Sequence, residues 1–464
     1  LWAAGQERAD RINQAVHALG WYYCLQGATE AGEVTFRALV ERLGIGAHQP
    51  LGSDRGVQWA VARLCLWRST FASFMGDSAR SNSFTQEALA ILDSPVLASE
   101  DTRPERATVW MRLGYAVRDT DPEEARIRFH QSQQLFEEVG DPLGLSDALE
   151  GLGRAARNLR DFGAAQQAVA KSLRLRQEAG DGLGTGEATA LLGHIALWQG
   201  DFARAEHLIR QGLKTPELTT HWLGLSQFLA GRFKVARVTA AGSIVHYSDV
   251  GQRREEAYSK IILGQCHLHL GDHQAARDNA QEGLEMAESV GFPRGTGMGL
   301  GLLGAVALAE ANYDEARMGC EASLTVCQQS SGHPSEFEGE LACLALVTWG
   351  LGDRDEAWAQ AHAQLAWAQE SQMLMPALFG LVAAARLLAD VGEIERAVEL
   401  YAVATQHPFV TNSLWFEDVA GSQISATAAT LPGAVVNTAR KRGQARDLIV
   451  TVGELLTELT VRVV

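Results

Sequence analysis

The sequence predicts an all-α, right-handed superhelical solenoid of about ten stacked helical hairpins, closed at its C-terminal end by a helical cap. Three observations predict it. A signature returns at a step of roughly forty residues: a Leu-Gly pair, Gly-Asp or its equivalent eight residues on, and Ala at twelve. A fixed period of this size marks a repeat array. Between signatures, apolar residues recur every three or four positions, as on one face of an amphipathic helix. Apolar residues make up 46% of the chain against 21% charged, enough for a continuous core along an array whose single hairpins cannot bury their own faces.

The copies run as follows. Leu19-Gly20 with Gly27 and Gly32 opens the series, and a degenerate copy follows around Ser69, Gly76-Asp77 and Ala88. Leu113-Gly114 with Asp121 and Ala125 fits with one residue missing. Regular copies then read Leu152-Gly153, Asp161, Ala165, and Leu192-Gly193, Gly200-Asp201, Ala205. Leu223-Gly224, Arg232, Ala236 comes early, because Lys214-Thr215-Pro216 shortens the connection and predicts a tight, atypical join. The series continues with Leu263-Gly264, Gly271-Asp272, Ala276; Leu303-Gly304, Asn312, Ala316; Leu344-Ala345, Gly352-Asp353, Ala357; and Ala385, Gly392-Glu393, Ala397.

One copy shows the logic. A first helix is expected from Glu255 to Leu270 and a second from about His273 to Val290, with Ala276, Ala280, Leu284 and Ala287 on one face. Gly271 divides them because glycine accepts the left-handed conformation that ends helices. Gly264 and Ala276 fall where the two helices cross, and a larger side chain there would push them apart. Pro, Gly and Ser mark loops at Gly44 to Gly56 and Asp93 to Arg103. Beyond about Leu400 the signature stops. Gln406-His407-Pro408-Phe409 and Thr430-Leu431-Pro432-Gly433 break the chain into short helices, and the last, about Ala445 to Arg462, is expected to cover the final repeat. The divisions are therefore 1–105, irregular hairpins; 106–400, regular superhelix; and 401–464, cap.

The net charge of −16, from 40 basic and 56 acidic side chains, argues against non-specific nucleic-acid binding, which needs a basic stripe to displace phosphate counterions. Six cysteines lie inside helical patterns without C-x-x-C spacing and read as reduced core residues. No secretory leader or bilayer-length apolar run opens or interrupts the chain, so a cytoplasmic location is expected. A chain beginning at Leu1 is expected to be a segment of a longer protein.

Gly299-Leu300-Gly301-Leu302-Leu303-Gly304 matches G-x-G-x-x-G, but it falls inside a first helix with no strand before it, so close helix packing explains it. His267, His269 and His273 cannot share a helix face, because Gly271-Asp272 turns the chain between them, and no metal site is expected. Arg440-Lys441-Arg442 with Arg446 reads as a helix end complementing the dipole. With no nucleophile beside a base, no enzymatic activity is expected and no catalytic residue is assigned.

Residues one, four and five after each Gly are expected to face away from the hairpin partner, towards a concave groove. The candidate ligand-binding residues are Arg118, Arg154, Arg157, Asn158, His194, Trp198, Phe228, Gln265, His269, Trp349 and Arg386. Arginine offers a bidentate fork for carboxylate or phosphate, Asn an amide for a peptide backbone, and Trp broad contact area.

The Leu-Gly, Gly-Asp, Ala spacing, with Phe36, Phe129 or Val169 some sixteen residues past the Gly, resembles the tetratricopeptide repeat (TPR) over roughly residues 10–400. The forty-residue step exceeds the usual thirty-four and resembles the longer variant of bacterial STAND signal-transduction ATPases, including MalT-like and other LuxR-type regulators. That resemblance implies a sensor: a peptide, protein or small-molecule inducer docks in the groove and regulates an attached ATPase. No Walker A sequence occurs in the chain, so ATP and Mg²⁺ are expected only in an upstream module, and this segment is expected to be monomeric, without a cofactor of its own. The alternative is a constitutive TPR scaffold for protein assembly without switching.

Overall fold

The computed structural model describes residues 8–43, 54–212, 220–331 and 339–463. All their regular structure is helical, with no strand among the described residues. The fold is an all-α, TPR-like solenoid of antiparallel hairpins. The expected join at Lys214-Thr215-Pro216 and most of the Gly44 to Gly56 connection lie outside the described residues.

Each hairpin is built by the same local chemistry. Where the first helix ends, Gly76, Gly200, Gly231, Gly271, Gly352 and Gly392 all hold positive φ, between 73° and 92°. A side chain is strained in that conformation, which explains the recurring glycine. Arg160 and Ala311 occupy the same position with φ of 63° and 56°, at an energetic cost glycine would avoid. The next residue caps the second helix: Asp77, Asp121, Asp161, Asp272 and Asp353 each accept from the backbone N–H three residues on. Each such cap contributes about 1 kcal/mol.

The expected crossing is present. A Cβ on Gly264 would sit 3.1 Å from the Ala276 carbonyl, and one on Gly304 would meet Cys320 and the Ala316 carbonyl. Ala125, Ala165, Ala205, Ala236, Ala276, Ala316, Ala357 and Ala397 are all fully buried. A second close approach lies seven residues before the Gly and seven after the Ala. There the Ser146 and Ser172 hydroxyls hydrogen-bond at 3.0 Å, Gly186 and Gly212 meet backbone to backbone, and Ser323 donates to the Gly297 carbonyl at 2.7 Å. Ser69 stands where other copies carry glycine and bonds to Thr85 at 2.8 Å instead.

Two compact units divide the chain. The first comprises Leu1–Ile195, Leu208–Thr215 and His246–Arg254. Its helices are α1 (Ala9–Leu25), α2 (Thr29–Arg42), α3 (Arg55–Phe74), α4 (Ser78–Leu92), α5 (Arg103–Val117), α6 (Pro122–Val139), α7 (Pro142–Asn158), α8 (Phe162–Glu178) and most of α9 (Gly182–Trp198). Between α4 and α5, the predicted loop contains a short 3-10 turn, Pro95–Leu97, whose Leu97 is buried.

The second unit comprises Ala196–His207, Pro216–Val245 and Glu255–Val464. It draws on α10 (Phe202–Gly212), α11 (Thr220–Leu229), α12 (Phe233–Asp249), α13 (Arg253–His269), α14 (His273–Ser289), α15 (Pro293–Ala309), α16 (Tyr313–Ser331), α17 (Glu340–Leu351), α18 (Arg354–Ser371), α19 (Leu374–Asp390) and α20 (Ile394–Ala404). The cap follows as α21 (Pro408–Thr411), α22 (Leu414–Phe416), a π turn at Glu417–Gly421, α23 (Ser422–Ala428), α24 (Gly433–Gln444) and α25 (Leu448–Val463).

Helix α24 packs on α20, and α25 packs on α18 with smaller contacts to α19 and α20. Buried Glu399 on α20 ties the cap down by accepting from Arg396, Arg442 and Arg446 at 2.8, 2.9 and 3.0 Å. Two members of the basic run predicted at a helix end are thus engaged by this one carboxylate.

Candidate functional site

In the first unit, α5 and α7 with the start of α9 present a polar wall, because successive turns of each first helix carry charged residues at helical spacing. Asn158 donates its amide to the Arg118 carbonyl at 3.0 Å and accepts from Arg157 through its Oδ1 at 2.9 Å. Arg118, Arg157 and Asn158 are therefore brought together. The amide expected to hold a ligand backbone already holds this chain's own. Arg118 also grips Asp119, which Arg254 contacts from another helix of the same unit. Burial alone would raise the Asp119 pKa, but these two guanidinium groups hold it well below the usual carboxylate range.

Deeper in this wall, Arg176 serves three carboxylates: Glu150 at 2.9 Å, Asp181 at 2.7 Å and Asp147. One guanidinium cannot neutralise three acids. Burial and the neighbouring Glu150 push Asp147 up to about 6 despite Arg176, and push Glu187 up to about 7. Arg154 is half-buried one turn along α7 from Glu150, within electrostatic range of Glu187 and of Tyr115 on α5. His194 is buried in α9.

The corresponding positions in the second unit are closed. Phe228 and His269, predicted to face a groove, lie in an aromatic nest roofed by the cap segment. His269 stacks on Phe233 with ring centres 4.6 Å apart and bonds through Nδ1 to Ser413 at 2.6 Å. Phe409 meets Phe228 at 5.4 Å, and Trp415 donates its indole N–H to the Ala305 carbonyl at 2.9 Å. Burial pushes His269 down to about 3, so it is neutral and acts as a packing ring with one hydrogen bond.

Asn412 donates to the Gly231 carbonyl at 3.1 Å, and a Cβ on Gly231 would strike the Pro408 backbone. Gly271 is similarly covered by Leu414. The cap segment thus seats on the turns of two hairpins. Beside it lies a cavity of about 470 Å³ lined by Phe202, Leu229, Leu374 and Phe409 with the Glu206–Arg232 ion pair.

The remaining candidates in this unit are also engaged. Trp349 donates to Asp390 at 2.7 Å, and Arg386 pairs with the same carboxylate, so these two predicted residues converge on Asp390. Arg354 lies 3.6 Å over the Trp349 ring. Arg294 lies 4.6 Å over Trp198, and Gln265 is buried.

Sequence reasoning missed Arg112, Asp147, Glu150 and Glu187. They lie on the same first-helix faces at helical spacing before the glycine, so extending the face one to two turns towards the helix N-terminus would have found them. It also missed the cap segment's occupation of the second unit's wall. Apart from the aromatic run Phe409, Trp415, Phe416, no local signal says where that segment docks. The G-x-G-x-x-G run lies inside α15 with Gly301 and Gly304 buried, and among the described residues no group of three or more His, Cys, Asp or Glu is placed to hold a metal. No described helix is long and apolar enough to cross a membrane.

No protein-family model matches the sequence, and no curated protein matches it. Among solved structures, the APC/C hetero-tetramer Cut9-Hcn1 is 13% identical, with 98% of this chain and 92% of that chain covered and a TM-score of 0.54. A Rap protein complexed with competence and sporulation factor is 11% identical over 97% of this chain and 99% of that one, with a TM-score of 0.39. A STAND protein with a tetratricopeptide repeat sensor from Pyrococcus horikoshii is 14% identical, covering 76% of this chain and 55% of that one, with a TM-score of 0.38. At these identities the likeness speaks to fold alone, and the first of the three carries it.

Proposed function

We propose that this chain is a ligand-sensing and protein-interaction module. An inducer (peptide, protein or small molecule) docks on the polar first-helix wall of the first unit and regulates a STAND-type ATPase attached upstream, as in MalT-like regulators. The module acts by binding and contributes no chemistry of its own. One observation supports this reading above others: the first unit keeps a polar wall of half-buried charged groups, whereas the aromatic stretch of wall around Phe228 and His269 in the second unit is filled by the chain's own Phe409, Ser413 and Trp415. Within this wall Arg154 and Glu187 make no hydrogen bond or ion pair with a described residue, and because burying charge without a partner is costly, they suit a polar ligand better than they suit stability.

The test is a thermal-shift and calorimetric screen of the intact chain against peptides, sugars and nucleotides. A saturable ligand weakened at least tenfold by Arg118→Ala or Arg157→Ala, but not by Phe228→Leu, is the expected result. A ligand indifferent to every change along the first unit's wall would remove this reading. Constitutive capture of a protein partner with no effect on an attached ATPase would favour the scaffold alternative.

A further inference from the structure

The arginines of the first unit's wall fall into two groups. Arg118, Arg176 and Arg254 all grip carboxylates. Arg112 on α5 and Arg154 on α7 make no hydrogen bond or ion pair with any described residue, and the Arg112 Nε is shut off from water with no acceptor. Tyr115, one turn from Arg112, packs its ring edge-on to Phe129 at 5.0 Å, while its hydroxyl bonds to no described group. Arg112 and Arg154 both lie within electrostatic range of that hydroxyl. Two guanidinium groups and a phenol, on two first helices that touch each other, thus lie within electrostatic range of one another, with Asp147 in the same range, and none of the three makes a hydrogen bond with a described residue. Glu187, within electrostatic range of Arg154, likewise makes no hydrogen bond or ion pair with a described residue, and in the same range lie Glu150 and Asp147, which already share Arg176.

Resting on the sensor reading above, we propose that Arg112, Tyr115 and Arg154 form a subsite for a carboxylate and Glu187 a subsite for a neighbouring ammonium. The ligand is then a small zwitterion: a free amino acid or a short peptide with unblocked ends. Planar, bidentate arginine forks match a carboxylate. A doubly charged phosphate is disfavoured by Asp147, Glu150 and Glu187, each within electrostatic range of Arg112, Tyr115 or Arg154, since like charges repel more strongly in a partly desolvated site. Those same acids favour an ammonium. The raised proton affinity of Glu187 agrees with a carboxylate whose cation is supplied from outside.

Calorimetry and thermal shift on the intact chain test this with the twenty L-amino acids and a mixture of unblocked tripeptides. Each hit is repeated as its C-terminal amide and its N-acetyl derivative, which removes one charge at a time without touching the protein. A free-ended compound is expected to bind, with each blocked form at least tenfold weaker. Arg154→Gln is expected to abolish the difference between acid and amide, and Glu187→Gln that between amine and N-acetyl, with melting transitions remaining cooperative. Tighter binding of single amino acids or of tripeptides decides the source. Blocked forms binding as well as free ones, Arg154→Gln and Tyr115→Phe binding normally, or no free-ended compound binding at all would each overturn the proposal. In the last case, a sugar or nucleotide lost with Arg157→Ala would leave the sensor reading standing while this one falls.

Discussion

Asn158 reaches from α7 to the carbonyl of Arg118, at the end of α5, and holds it at 3.0 Å. Forty residues apart in sequence, they join the last turns of two successive first helices. The same side chain accepts from Arg157, so one amide fixes both the spacing of neighbouring repeats and the direction of an arginine. Asn158→Leu removes both and leaves a half-buried carbonyl short of a donor. A loss of about 1–2 kcal/mol is expected, read as a lower melting temperature in calorimetry. An unchanged transition would show that the strut contributes nothing.

Ala311 sits in the left-handed region, with φ of 56°, at the turn where most other hairpins carry glycine. Ala311→Gly should raise stability by about 0.5–1 kcal/mol, the relief of strain outweighing the extra freedom of the unfolded chain. Gly271→Ala, at the matching turn one hairpin earlier, should do the reverse, and more strongly because its new methyl would crowd Leu414. Denaturant midpoints for the two variants, moving in opposite directions, are the check.

Gly231 allows the Pro408 backbone to lie against it, and its positive φ of 73° adds a conformational reason for glycine. Gly231→Ala should lift the cap segment. The expected signs are a red shift of the Trp415 emission, new protease cleavage between residues 405 and 421, and a loss of at least ~2 kcal/mol. Resistance to protease equal to that of the native chain would show that the segment docks without this contact.

Glu187, pushed up to about 7 by burial and Glu150, predicts a pH dependence. The native chain keeps this proton to higher pH than the unfolded chain, where a glutamate has its ordinary pKa of 4.5, so its contribution makes stability fall as pH rises from about 4.5 to about 7. The penalty is on the order of 2–3 kcal/mol at pH 8 and absent below pH 4. Glu187→Gln should therefore melt above the native chain at pH 8 and level with it at pH 4. A constant difference across that range would refute the assignment.

The fold was legible because its rules are local. Glycine at a left-handed turn, aspartate capping the next helix and alanine at the crossing each leave a mark at fixed spacing, and the marks repeat. Even the degenerate copy kept Gly76, Asp77 and fully buried Ala88. The wall was only half legible. Spacing from the glycine located Arg118, Arg157 and Asn158, and the structure brings them together. It could not reveal that Phe228 and His269 are roofed by Phe409, Ser413 and Trp415, because those contacts span well over a hundred residues and follow no period. Nor does spacing distinguish Arg118, already paired, from Arg154, which is not.

The placing of Phe409, Trp415 and Phe416 sets a rule for shortening this protein. Cutting the chain after Thr405 would strip three almost wholly buried rings from their seats and bare Phe228, Phe233, His269 and Phe379 to water. Such a fragment would carry an adhesive aromatic face and tend to clump, so any trimmed version must keep this strap even if everything after it is discarded.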